Sequence, residues 1–393
     1  MLPGKAMRIL TALTYYRPHV SGVTVYAQRL AEALAAGGHA VTVLTSQWDS
    51  TLPRDAMENG VRVRRVPVVA RVSKGVIMPT IGMWATRMVL AHDVVHLHLP
   101  QFDAAGIALR AWLSGRPSVL TFHCDLQLPP GWFNRAAGRV VRAANFVAGR
   151  CADRIVTYTD DYRRHSGFLS RWNSKTVLID PPVALPTVTD QEAARFRMEH
   201  GLDSSRGPVL AMAARLASEK GVEVLLAALP RILAKYPRAI VLFAGQHRNV
   251  LGEQAYADRL KPRIRELEAA GHWRFLGVLD PCRMAAFYRH IDVLVVPSLN
   301  STESFGLVQI EAMMHGVPVA VSDLPGVRTP VASTGMGRVV PTGDGDALAA
   351  AVLELLALPR PLCPPSGVFG RYDPQAVAAR YETLFEHLLQ ERR

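Results

Sequence analysis

The chain has 393 residues, 49% of them hydrophobic and only 7% aromatic, with a net charge of +12 and a pI near 9.9. That length exceeds one ordinary domain, and the apolar content excludes a disordered chain. The basic surplus points to anionic partners; with no zinc-finger spacing and no RNP-type aromatic motif, nucleic acid is excluded, which leaves phosphate-bearing substrates and anionic membrane surfaces.

Residues 8–13 read as a buried first strand and not as a signal peptide, and no apolar run reaches the roughly 18 residues that span a bilayer. Cys124, Cys151, Cys282 and Cys363 form no C-x-x-C pair, which fits reduced thiols and a cytoplasmic location. Short β-branched runs follow at 40–45, 61–66, 94–98, 118–122, 154–158 and 176–179. Helical stretches lie between most of them, such as 23–36, where Tyr26, Leu30, Ala33 and Leu34 share a face. Three prolines between Asp180 and Asp190 mark a linker. A second series of strands runs through 208–213, 239–244, 273–277, 293–296, 318–321 and 337–340. A proline-rich breaker at 359–365 and a terminal helix near 375–389 end the chain. This alternation predicts α/β architecture with parallel sheets. The expected domains are 1–185 and 186–372, with 373–393 packing back towards the first.

The most specific phrase is Glu303-Ser-Phe-Gly-Leu-Val-Gln-Ile-Glu311-Ala-Met-Met-His-Gly-Val-Pro-Val. A buried strand ends at Pro297, a polar loop runs to Glu303, Gly306 opens a helix and Gly316 closes it. Each glutamate alone reads as a partner of the helix dipole or a solvated residue. Together, with the amides of Phe305, Gly306 and Leu307, they suit sugar and ribose hydroxyls. The second phrase is Ala213-Ala-Arg215-Leu-Ala-Ser-Glu-Lys220-Gly221. Two cations at the mouth of a strand–loop–helix unit suit a diphosphate.

These phrases resemble the E-x7-E and R-x4-K motifs of family 4 glycosyltransferases. The resemblance covers nearly the whole chain and is most specific from Ala213 to Asp323. It implies two Rossmann-like, doubly wound α/β domains facing a central cleft, the GT-B fold, with 1–185 acceptor-binding and 186–372 nucleotide-sugar-binding. It implies retaining transfer of a hexose-type sugar from a UDP- or GDP-sugar to an acceptor hydroxyl, without cofactor or metal. Glu303 with the Phe305 and Gly306 amides then holds the donor sugar, Glu311 the ribose, and Arg215 and Lys220 the diphosphate.

In the first half, the loop through Pro18, Ser21 and Gly22 resembles the family's P-x-x-G-G loop, with Ser21 where the first glycine is usual. A glycine at such a turn lets backbone approach a phosphate. Thr121-Phe-His123-Cys-Asp125 resembles the T-x-H-D element, with Cys124 inserted. It implies that His123 contacts the donor sugar near the reaction centre; a satisfied loop histidine is the plainer reading. His96 and His98 share a strand face, as in the family's cleft-lining H-x-H; a zinc pair would lack a third ligand nearby. Asp344-Gly-Asp346 reads as a helix N-cap. No carboxylate nucleophile stands out in the first half, which fits the family's same-face mechanism, where the leaving phosphate helps deprotonate the acceptor.

For the acceptor, residues 59–91 carry Arg62, Arg64, Arg65, Arg71, Lys74 and Arg87 and no acid. Trp132, Phe133, Ala136, Val140, Ala144 and Val147 form an apolar stripe beside Arg135, Arg139 and Arg142. Such a stripe packs on its own sheet or lies on an anionic membrane. The second arrangement predicts a peripheral enzyme with a lipid or lipid-linked glycan acceptor. A GT-B-fold epimerase and a non-catalytic nucleotide-sugar module are the competing readings; the missing G-x-G-x-x-G speaks against a dehydrogenase.

Overall fold

The computed structural model describes residues 6–72, 75–127, 132–202, 207–359, 361–362 and 367–392. Lys74, Cys363 and part of the 359–365 breaker lie outside the described residues, as does the side chain of Phe133. Met1–Val183 with Gly370–Arg393 form one unit and Ala184–Phe369 a second.

In the first unit the order is β1 (Arg8–Ala12), α1 (Gly22–Ala36), β2 (Ala40–Gln47), β3 (Asp55–Glu58), β4 (Val61–Pro67), β5 (Ala70–Val72), β6 (Gly75–Ile77) and α2 (Ile81–Ala91). It continues through β7 (Val94–Leu99), α3 (Ala104–Leu113), β8 (Ser118–Phe122), α4 (Trp132–Cys151), β9 (Arg154–Thr157), α5 (Asp160–His165) and β10 (Thr176–Leu178). The main sheet has the order β10-β9-β8-β7-β1-β2-β4-β3, parallel except for β3. Its central strands are apolar runs, buried at every position in β7 and β8, as a sheet covered on both faces requires.

Three strands, β3, β5 and β6, were not expected, because each is short and partly polar. For β3 the signal was nevertheless present. Asn59 and Gly60, at φ +47° and +79°, form the two-residue turn that pairs Glu58 with Val61. The crossover from β2 to β4 therefore contains this hairpin and no helix.

The second unit runs α6 (Asp190–Glu199), β11 (Val209–Ala213), α7 (Val222–Lys235), β12 (Ile240–Ala244), α8 (Gln254–Ala269), β13 (Trp273–Gly277) and α9 (Pro281–Tyr288). Then follow β14 (Val293–Val296), α10 (Leu307–Met314), β15 (Val319–Ser322), α11 (Thr329–Thr334), β16 (Gly337–Val340) and α12 (Gly345–Leu356). Its parallel sheet has the order β13-β12-β11-β14-β15-β16. Local chemistry sets the helix starts. Thr189 and Glu192 form a capping box on α6, and Asp344 accepts from the Ala347 N–H at 2.8 Å on α12.

The terminal helix α13 (Pro374–Glu391) belongs to the first unit. The Tyr381 hydroxyl lies 2.7 Å from those of Tyr26 and Thr121, inside the core. Asp180, 4% exposed, accepts from Arg371 at 2.6 Å and Arg380 at 2.8 Å. Buried and bound to two guanidiniums, it fixes the start of the proline-rich segment. The unit boundary falls at 183/184 against the expected 185/186, and the C-terminal segment begins at Gly370 instead of 373.

Candidate active site

In the second sheet the chain winds outward through β11, β12 and β13, then returns to β14 on the other side of β11. The loops leaving β11 and β14 thus emerge side by side at the strands' carboxyl ends, the switch point where open α/β sheets bind ligands. Gly221 caps α7 at φ +66°, and a Cβ there would lie 2.0 Å from the Pro297 carbonyl oxygen. The Leu299 N–H donates to the Glu219 carbonyl at 2.9 Å. Backbone contact of this kind joins the two loops before any side chain is considered. Lys220 Nζ then donates to Glu303 Oε2 at 2.5 Å, and Arg215 Nη2 to Glu219 Oε1 at 3.0 Å. The expected diphosphate cations and the expected sugar carboxylate therefore share one patch, with Glu219, which the motif reading passed over, orienting Arg215.

The Glu303–Gly306 loop is held from beneath. Gly306 sits at φ +78°, where an added Cβ would lie 2.8 Å from Gln309 Nε2. Gln309, fully buried, donates to the carbonyls of Phe305 at 2.6 Å and Val327 at 3.0 Å. The helix opening at Leu307 presents its N-terminus here, where first-turn amides precede the intrahelical ladder; that of Gln309 donates to the Gly306 carbonyl at 2.9 Å. Glu311 points inward, 6% exposed, and accepts from the Tyr288 hydroxyl at 3.0 Å. Gln309 and Tyr288 were not foreseen. Gln309 stands four residues after Phe305, the one hint that it reaches back along the helix.

In the first sheet the switch point lies between β1 and β7. After β1, Ser21 caps α1. Its Oγ accepts from the Thr24 N–H at 3.3 Å, and Thr24 Oγ1 accepts from the Ser21 N–H at 2.8 Å. The Ser21 side chain thus serves the helix. A Cβ on Gly22 would meet nothing within 4 Å, so the fold itself does not demand glycine there.

His123 is 5% exposed, and both its ring nitrogens are engaged: Nδ1 with the Tyr158 hydroxyl and Nε2 with His98 Nδ1 at 2.8 Å. The ring therefore reaches a ligand only by giving up one of these bonds. His96 Nε2 lies 2.7 Å from Thr121 Oγ1, which joins it to Tyr381 and Tyr26. Burial pushes His96 and His123 down to about 3 and His98 well below its ordinary value, so the cluster is neutral. Among the described residues, no group of three or more His, Cys, Asp and Glu could hold a metal ion. Nearby in sequence, burial pushes Asp103 up to about 6.

These histidines make stability depend on pH. Their folded values lie below the unfolded 6.5, so the unfolded chain binds more protons between those limits. Stability is complete above 6.5 and falls as pH drops towards 3. Denaturant unfolding at about pH 7.5 and 5.0 checks this; equal midpoints would refute a neutral buried cluster.

Residues 195–363 match the family model described as glycosyl transferases group 1, and residues 21–182 match the glycosyl transferase 4-like domain. The chain is a glycosyltransferase of the family 4 type. Similar proteins include the phosphatidyl-myo-inositol mannosyltransferase of Mycolicibacterium smegmatis, 29% identical over 89% of this chain and 85% of the relative. The D-inositol 3-phosphate glycosyltransferase of Jonesia denitrificans is also 29% identical, over 81% and 79%. Among solved structures, the sucrose-phosphate synthase of Thermosynechococcus elongatus superposes with a TM-score of 0.73 at 23% identity, covering 98% of this chain and all of that one. Anabaena HepE in complex with UDP-glucose superposes with a TM-score of 0.70 at 18% identity, over 98% and 99%. This glycosyltransferase thus has the GT-B fold, and its E-x7-E and R-x4-K phrases both fall within the group 1 match.

Proposed function

We propose that the chain is a retaining hexosyltransferase that takes a UDP- or GDP-sugar, without metal, and delivers the sugar to a hydroxyl of a lipid or lipid-linked acceptor at the inner face of an anionic membrane. The observation that carries the donor half is the Lys220–Glu303 contact at 2.5 Å, with Arg215 on the same loop as Lys220. A diphosphate brings more negative charge than the single carboxylate Lys220 now holds. The lysine therefore swings to the phosphates and frees Glu303 for sugar hydroxyls. As the glycosidic bond to the donor breaks, negative charge grows on the diphosphate, and two fixed cations stabilise it most where it is largest. The leaving phosphate then takes the acceptor proton on the same face of the sugar.

The acceptor half rests on surface chemistry and on relatives named for inositol lipids and inositol phosphates. On α4, Trp132 is 77% exposed, and Val140 and Val147 also face outward with Arg135, Arg139 and Arg142. Of that stripe, Ala144 is buried. α3 adds exposed Trp112 and Leu113, and neither helix contains an acidic residue. Not all of the basic stretch is available: Arg65 is 2% exposed and paired with Glu58 at 2.5 Å. Among the described residues no helix is long and apolar enough to cross a membrane.

Titration calorimetry with UDP and then GDP in metal-free buffer tests the donor half: one nucleotide is expected to bind, and binding of neither would overturn the donor site. Sedimentation with anionic liposomes at low salt tests the other; a protein left in the supernatant would direct the search to soluble glycan acceptors.

A further inference from the structure

We propose that a cavity of about 700 Å³ on the first unit, at the amino ends of β1, β2 and β4, binds a phosphate ester that carries an apolar group. It lies at the opposite end of the strands from the loops described above and does not depend on the donor reading. Its origin is the helix-free crossover from β2 to β4. On the face that α2 covers, the carboxyl halves of the strands contribute Leu10, Leu44 and Val66 to the core with Ala85 and Val89. The amino halves of the same strands on the same face end in Arg8, Thr42, Arg62 and Arg64, and α2 borders the cavity beside them through Trp84, Arg87 and Met88. A parallel strand covered on both faces would be apolar throughout; β4 reads V-R-V-R-R-V-P, with two arginines towards the cavity.

The charges do not cancel. Arg8 is paired with Asp93 at 2.6 Å and Arg64 with Asp55, whereas Arg62 and Arg87 have no ion-pair partner among the described residues. Both are exposed. Beside them the wall is apolar: the Arg64 guanidinium lies 3.6 Å over the Trp84 ring, with Met57, Met88 and Ala91 around it. Two unneutralised guanidiniums beside an indole favour a phosphate joined to an apolar body over a bare anion. The volume is that of a small-molecule site. Such an ester is either a soluble molecule or the headgroup of a membrane phospholipid.

The full chain would be titrated calorimetrically with monomeric dihexanoyl phosphatidic acid, 1-naphthyl phosphate and inorganic phosphate, and mixed with phosphatidylcholine vesicles containing phosphatidic acid. The comparison protein is the double variant Arg62→Ala/Arg87→Ala, with its melting temperature as the check on folding. Saturable binding of a soluble ester that weakens roughly 10- to 100-fold in the folded double variant supports the site with a soluble ligand. The same loss seen only on vesicles assigns it to a lipid headgroup. Equal binding by the variant, no binding of any probe, or inorganic phosphate binding as strongly as the esters would overturn it. The part of the binding that Arg62→Ala/Arg87→Ala abolishes is expected to persist in Lys220→Ala, which separates failure here from failure of the donor reading.

Discussion

Replacing Lys220 by alanine is expected to lower kcat/KM by about 10²–10³-fold, most of it in kcat. Among the described residues the side chain's one hydrogen-bond partner is Glu303, and its backbone N–H donates to the Ala217 carbonyl at 2.9 Å whatever the side chain is. The loop therefore survives the truncation. What is lost is the cation facing the diphosphate, where charge increases from ground state to transition state, so the effect falls on the chemical step more than on binding. Lys220→Arg should recover only part of the rate, because a planar fork cannot take the place of a compact ammonium between Glu303 and a phosphate. Steady-state kinetics with the nucleotide-sugar identified by calorimetry would measure this. A kcat within a few-fold of the unaltered enzyme would remove Lys220 from the mechanism.

Gly221→Ala should do more damage by a different route. At φ +66° an L-residue costs about 1–2 kcal/mol. The new Cβ would also lie 2.0 Å from the Pro297 carbonyl oxygen, so one of the two joined loops has to move. The total loss should reach roughly 3 kcal/mol or more, and activity should fall even in the molecules that stay folded, since Lys220 and Glu303 separate. Gly252→Ala is the matched control: φ +79°, with nothing within 4 Å of its Cβ. It should lose only the backbone contribution. Denaturant melts of both variants check the comparison; equal destabilisation would show that the loop contact carries no energy of its own.

Much of this molecule could be read along the chain. The strands of both units lie within a residue or two of the β-branched runs, because a strand buried on both faces leaves an unbroken apolar record. The short strands β3, β5 and β6 escaped for the converse reason: at a sheet edge or in a small hairpin, half or more of the residues face water. Arg65 shows the limit of counting charges. In sequence it belongs to a basic surface stretch, yet it is buried against Glu58 and accepted by the carbonyls of Pro53 and Arg17.

The E-x7-E and R-x4-K phrases were legible because glycine positions and charge spacing are local properties, set by what a strand–loop–helix turn needs. Contacts between distant residues were not. Lys220 meets Glu303 because β11 and β14 are neighbours in the sheet although 83 positions separate the two side chains. The Ser21 side chain caps α1, and His123 stands in the middle of a buried His98–His123–Tyr158 chain. Tyr381, near the end of the chain, completes the polar interior of the first unit. Periodicity and spacing were enough to establish which elements form and in what order. Which polar groups satisfy one another inside them followed from strand order and burial, since a buried donor must take whatever acceptor the packed sheet sets beside it.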